Sequence, residues 1–114
     1  MIETTLLNWL SARLDQPVYM EIPEEPPACF YLLERTGGRR ENQIAYATIA
    51  LQSYGDSLAT AAVMNARGVN TMLGAYALDS VSDVSLNSDY NFPDLTRKRH
   101  RYQAVFDVTH YEME

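Results

Sequence analysis

The segment RTGGRR, residues 35–40, contains residue types that could bind a phosphate group: two adjacent glycines followed by two arginines. A P-loop also needs a lysine followed by serine or threonine, and a dinucleotide-binding fold needs the spacing G-x-G-x-x-G; the segment has neither. A strand-like apolar run, residues 41–54, follows the glycines, so no helix N-terminus is expected there to hold an anion. The sequence therefore favours a β-hairpin with its turn at Gly37 and Gly38 over a phosphate site.

Other residues that could do chemistry lack suitable neighbours. His100 and His110 lie in one predicted strand, about 33 Å apart at roughly 3.3 Å per residue, and cannot share a metal ion within one chain. Cys29 is the single cysteine, and no base stands beside it in the sequence, so a small buried apolar role is expected. Three acids lie among prolines, as is typical of solvent-facing carboxylates: Glu21, Glu24 and Glu25. We therefore expect no enzyme, with no catalytic residue, metal ligand or cofactor site.

Positive charge is concentrated in two short segments of an acidic chain. Nine basic residues stand against fifteen acidic ones, giving a formal net charge of -6. Seven of the nine basic residues fall in these segments: Arg35, Arg39 and Arg40, then Arg97, Lys98, Arg99 and Arg101. The second segment adjoins Tyr102, a pattern used by nucleic-acid surfaces. The net negative charge of the chain disfavours general binding to phosphate. A small nucleic-acid-binding module that uses Arg97–Arg101 is therefore the alternative function and not the leading one.

The elements that must position these residues follow from hydrophobic periodicity. Apolar residues at intervals of three and four positions predict a helix over residues 2–14, and alternation of apolar and polar residues predicts a short strand over 17–22. The long hairpin comes next, with the odd positions 45–51 facing the core. Asp56 or Ser57 can cap a second helix that ends near Gly74. Two strands follow, at 81–87 and 100–111, joined by a polar connection.

These elements predict an α+β fold. The order is α-β-β-β-α-β-β, with a mainly antiparallel sheet, two helices packed on one face and a long protruding β-hairpin. A length of 114 residues fits one domain over 1–114. The N-terminus MIETTLLNWL has an acid where a secretory signal has basic residues, and the apolar runs are short, so we expect a soluble cytoplasmic protein without a membrane partner.

Three stretches in this order carry a resemblance to a known family: FYLLERTGGRR, then IALQSYGDSLATA, then YNFPDLTRKRHRYQAVFDVTH. Together they resemble the small tail-terminator or tail-completion proteins of long-tailed bacteriophages and prophages, from the first helix to Tyr111. The resemblance implies an α+β protein that is made in the host cytoplasm and resides at the head-proximal end of the virion tail. There it forms a ring, commonly hexameric, that caps the tail tube, ends its polymerisation and joins the head.

The resemblance also implies partners and contact segments. The partners are further copies of the chain, the tail tube protein and a head-completion or connector protein, while DNA passes through the ring without specific binding. Two segments are expected to contact neighbouring subunits or the tube: the hairpin arm, Glu34–Glu41, and the segment Asp89–Arg101. Their candidate contact residues are Arg35, Arg39, Arg40, Tyr90, Phe92, Pro93, Arg97, Arg99 and Arg101.

Overall fold

The first helix forms because apolar residues recur at four-residue spacing. In the computed structural model, which describes residues 1–111, α1 spans Ile2–Ser11 and buries Ile2, Leu6 and Leu10. It ends three residues before the predicted residue 14, although Leu14 still bonds to the Leu10 carbonyl at 2.8 Å in a final turn. The predicted domain extends to residue 114, and its residues 112–114 lie outside the described part.

The next strand, β1, is shorter than predicted. It comprises only Val18–Tyr19 and pairs in parallel with the start of β2, Phe30–Glu41. The predicted strand over 17–22 is wrong beyond Tyr19: Met20 is exposed, and the chain reaches Pro23, which has no N–H for a sheet ladder. Ile22 instead packs on the opposite face of the sheet from the helices.

The long hairpin is present, but the predicted position of its turn is wrong. β2 pairs with β3, Ile44–Gly55, and the turn lies at Asn42 and Gln43, with Asn42 at φ 58°. Asparagine tolerates this left-handed conformation. Gly37 and Gly38 lie within β2 just after a bulge at Thr36. A Cβ on Gly38 would stand 2.6 Å from the Tyr46 carbonyl oxygen, so this glycine permits close strand approach rather than the bend.

The second helix covers the centre of the sheet. α2 spans Leu58–Leu73, and its N-cap Ser57 accepts a hydrogen bond from the Thr60 amide at 3.1 Å. Gly68 lets the helix approach β3, because a Cβ there would stand 2.8 Å from a Leu51 methyl group. Buried Tyr31 donates to the Met64 carbonyl at 2.9 Å, and burial together with the Asp15 charge raises the pKa of Tyr31 to about 12.

The last two strands complete the sheet. A short 3-10 helix, Gly74–Ala77, leads to β4, Val81–Asn91, which pairs with β5, His100–Tyr111. β4 extends four residues beyond the predicted 81–87, because pairing with β5 overrides the weak strand propensity of Asp89 and Asn91. Within residues 1–111 the strand order is β1-β2-β3-β5-β4. This confirms the predicted α+β fold, element order and mainly antiparallel sheet.

The two faces of the sheet differ in what covers them. The inner face carries the main core with both helices, including the predicted odd positions Ala47, Ile49 and Leu51 of β3. The outer face carries a smaller cluster of Phe30, Leu32 and Tyr54. This cluster lies at the end of the sheet away from the hairpin turn, so only that half of the outer face has an apolar covering among the described residues.

Candidate functional site

The two predicted contact segments begin near the middle of the sheet, at Glu34 and Asp89, and their tips lie at opposite ends of it. β5 runs antiparallel to β3, with Ile44 opposite Tyr111 and Gly55 opposite His100. The β2–β3 turn is therefore at one end, and the connection between β4 and β5 is at the other. The molecule is 43 Å along its longest axis and 25 Å and 23 Å across, so one copy cannot bring these two surfaces together.

The hairpin arm presents its charges to solvent. Arg35 Nε donates to the Gly37 carbonyl at 3.2 Å, and Arg39 Nη1 lies 3.2 Å from Glu41 Oε2, with both side chains about two-thirds exposed (64% and 66%). The Arg39 guanidinium carbon lies 4.0 Å from the Tyr46 ring centre, and Arg40 is exposed. Exposed ion pairs of this kind contribute little to stability. A carboxylate of a neighbouring molecule could therefore replace Glu41 as the partner of Arg39 with little loss of free energy.

At the opposite end of the sheet, Asp94 makes hydrogen bonds that hold the connection between β4 and β5. We define the β4–β5 loop as residues 92–99. Asp94 and Arg99 exchange two backbone hydrogen bonds of 3.0 Å, and the Asp94 side chain accepts from the Tyr54 hydroxyl at 2.9 Å and the Arg97 amide at 3.1 Å. Asp94 is only 5% exposed. A buried carboxylate with several donors can hold a loop in one conformation.

The surroundings of Asp94 stabilise the charged form of its carboxyl group. Burial acts to raise its pKa, but the Arg97 amide, the Tyr54 hydroxyl and the positive charges of Arg101 and Arg97 outweigh burial, and the pKa of Asp94 is lowered below its usual 3.8. The pKa of Tyr54 is raised, chiefly by burial. Asp94 is therefore a carboxylate at neutral pH, with a protonated phenol as donor.

Two of the predicted contact arginines hold the loop within its own chain. Arg101 Nε donates to the Phe92 carbonyl at 2.6 Å, its Nη1 donates to the Tyr54 hydroxyl at 3.0 Å, and its guanidinium lies 4.3 Å from the Phe92 ring centre. Arg99 donates to the carbonyls of Pro27 and Ala28. The predicted basic segment is thus partly internal: Arg97 is about half exposed and Lys98 is exposed.

Apolar side chains project from this fixed loop into solvent. Phe92 is 41% exposed and Leu95 is 81% exposed, Pro93 is also exposed, and Tyr90 at the end of β4 meets Phe92 edge to face with ring centres 5.8 Å apart. The structure brings the predicted Tyr90 and Phe92 into contact, and the predicted Pro93 follows Phe92 in the chain. Leu95 was missed by sequence reasoning, although an apolar residue inside the polar run PDLTRK was an available signal.

The half of the outer face nearest the hairpin turn forms an open groove, which we call the outer groove. Its outward-facing side chains come from three adjacent strands: Arg39 of β2, Tyr46 and Thr48 of β3, and Asp107 and Thr109 of β5. Its volume is about 460 Å³. Nothing in the sequence pointed to this groove, because it depends on which half of the outer face the Phe30 cluster covers.

The remaining sequence candidates are scattered. His100 is exposed and His110 is buried at opposite ends of β5, Cys29 is half-buried against the core, and Glu21, Glu24 and Glu25 are exposed. Among residues 1–111, no group of three or more His, Cys, Asp or Glu residues could hold a metal ion. No helix in the same range is long and apolar enough to cross a membrane.

No model of a known protein family matches the chain, and no curated protein matches it. The function must therefore be argued from the residues and their geometry.

Proposed function

We propose that this chain is a structural morphogenesis protein of a long-tailed bacteriophage or prophage: a tail terminator that forms a ring on the head-proximal end of the tail tube. The ring ends tube polymerisation and gives the head-completion or connector protein a joining surface. The proposal rests first on the ordered resemblance of the stretches at 30–40, 49–61 and 90–110 to that family. The geometry adds an independent physical argument.

One observation supports that argument: the tips of the two segments that are predicted to make contacts lie at opposite ends of a molecule 43 Å long. A closed ring uses a heterologous interface, in which one surface of a copy meets a different surface of the next. The hairpin arm supplies exposed charge at one end, and Phe92 and Leu95 supply exposed apolar area at the other. Such surfaces suit repeated head-to-tail contact, with aromatic anchors of the kind that dominate interface energy.

The charge of the chain suits a channel for DNA. Each copy carries a net charge of -6, so a hexamer would repel rather than retain a passing phosphate backbone. In this proposal the partners are further copies of the chain, the tail tube protein and the connector, and the DNA passes without specific binding.

The proposal is tested by measuring mass in solution. Light scattering coupled to size exclusion, at tens of micromolar chain, is run with and without the tail tube protein encoded in the same phage or prophage genome. The expected result is a mass of about six copies, either alone or on the tube. A monomer in both conditions would contradict the proposal.

The alternative is nucleic-acid binding through Arg97–Arg101. Measuring the affinity for DNA and RNA at increasing salt concentrations distinguishes it from tail termination. Because Arg99 and Arg101 bond to carbonyls of their own chain, exposed Lys98 is the better probe of this surface. Binding that persists at physiological salt and weakens in Lys98→Asp would favour the alternative. Tail termination predicts no such binding.

A further inference from the structure

The β4–β5 loop combines rigidity with exposed apolar surface. Asp94 is buried and accepts two hydrogen bonds, Arg101 holds the Phe92 carbonyl, and Arg99 ties the loop to the Pro27 and Ala28 carbonyls. The same loop leaves Leu95 81% exposed. A loop that is fixed before binding loses little conformational entropy on binding, and a patch of exposed apolar side chains indicates an interaction surface.

The outer groove offers a matching surface at the other end of the same sheet face. The threonines Thr48 and Thr109 and the Tyr46 ring supply short and flat side-chain walls, and Asp107 places an exposed carboxylate at the edge. The loop carries positive charge next to Leu95, on half-exposed Arg97 and exposed Lys98. Lys98 of the loop and Asp107 of the groove therefore carry opposite charges, while Arg39, at the β2 edge of the groove, is paired with Glu41 at 3.2 Å. The loop also offers exposed Leu95, and the groove is open, with a volume of about 460 Å³.

Distance makes this contact intermolecular. Along β3, Tyr54 beneath the loop and Tyr46 in the groove are eight residues apart, about 26 Å at roughly 3.3 Å per residue. A loop anchored to Tyr54 through Asp94 cannot reach the groove of its own chain. The groove of a second copy can accept the loop, and each copy then contributes one loop and one groove.

We propose that the β4–β5 loop of one copy docks in the outer groove of the next, with Leu95 entering the groove and Lys98 facing Asp107. This rests on the ring proposed above and specifies its subunit contact. The contact is heterologous, because the loop and the groove are different surfaces, so its repetition closes a ring or extends a filament.

Paired cysteines test the contact directly. In a Cys29→Ser background, Leu95→Cys and Thr48→Cys are combined in one chain and oxidised mildly, with and without tail tube protein. The expected product is a ladder of disulfide-linked oligomers beyond the dimer. Leu95→Cys with Val63→Cys, on an exposed α2 position, is the matched control and should give no such ladder. No ladder from the 95/48 pair in either condition, or a dimer from Leu95→Cys alone, would overturn the inference.

A charge exchange tests the same contact without cysteines. Lys98→Asp and Asp107→Lys, each alone, should raise the concentration needed for assembly by at least about tenfold, because like charges then face each other. An equimolar mixture of the two variants should recover assembly, since each surface again finds an opposite charge. Thermal melts confirm that both variants fold. Failure of the mixture to recover assembly would overturn the inference.

The two proposals fail in different ways. If the variant Leu95→Cys with Thr48→Cys gives the ladder of disulfide-linked oligomers but the chain never binds the tube, the loop contact is supported and tail termination is contradicted. A chain that caps tubes without forming the ladder supports tail termination and places the subunit contact elsewhere.

Discussion

Asp94 is the residue on which the loop end of the molecule depends. Its side chain lies between Tyr54 of the sheet and the positive charges of Arg97 and Arg101. Sequence reasoning placed the neighbouring Tyr90, Phe92 and Pro93 in a contact segment but missed Asp94, because an aspartate in the run NFPDLT is typical of an exposed turn. Its burial depends on Tyr54, which is forty positions away in sequence.

Replacing Asp94 tests this role. Asp94→Ala should lower the free energy of unfolding by about 2–4 kcal/mol, because it leaves the buried Tyr54 hydroxyl without its acceptor and the Arg101 charge without its carboxylate partner. Urea denaturation measures the change. Asp83→Ala, at an exposed acid of β4, is the control and should stay within about 0.5 kcal/mol of the wild type. Equal effects of the two substitutions would contradict the role of Asp94.

The pH dependence of this difference is also predicted. The folded-state pKa of Asp94 lies below its unfolded value, so its contribution to stability is complete above the usual pKa of 3.8 and is lost as pH falls through the folded pKa. The stability gap between wild type and Asp94→Ala should therefore be constant from pH 7 to about pH 5 and narrow below about pH 4. Urea midpoints across this range measure it. A gap that widens as pH falls would show that Asp94 is not held as a carboxylate.

At the scale of elements, the sequence predicted which strands and helices exist better than where they end. The alternation in β3 set the inner face correctly, because one-sided burial requires a period of two. The turn was misplaced at Gly37 and Gly38, since glycine pairs are frequent in tight turns, whereas here both follow a bulge and Gly38 allows β2 to approach β3. The end of β4 was missed because pairing with β5 decides it.

The two adjacent glycines should respond differently to substitution. Gly38→Ala should destabilise the hairpin by about 1–3 kcal/mol, because the added Cβ would stand 2.6 Å from both the Tyr46 carbonyl oxygen and an Arg35 guanidinium nitrogen. Gly37→Ala is the matched control, with its nearest atoms at 3.9 Å. Amide hydrogen exchange of residues 36–48 and urea denaturation measure the effect. A larger loss in Gly37→Ala would indicate that the turn is at the glycines after all.

At the scale of the whole molecule, the proposed ring depends on two surfaces at opposite ends of one sheet. The order of motifs and the separation of basic segments were readable from the sequence. The outer groove was not, because it depends on which part of the outer face the Phe30 cluster and the β4–β5 loop cover.

Reversing charge on the hairpin arm should separate folding from assembly. The double substitution Arg39→Glu with Arg40→Glu should leave a folded monomer with a thermal midpoint close to the wild type, because both side chains are exposed, but it should fail to assemble. Arg67→Glu is the matched control: it also removes an exposed ion pair, with Asp15 at 3.3 Å, but on α2. Normal assembly of the arm variant would move the interface elsewhere.

The most direct test of tail termination is the growth of the tail tube itself. Tube protein is polymerised with increasing amounts of the chain, and electron micrographs give the distribution of tube lengths and the position of gold-labelled chain. Tail termination predicts that tubes shorten as the chain increases and that the label lies at one end of each tube. Tubes of unchanged length with no label at their ends would contradict it.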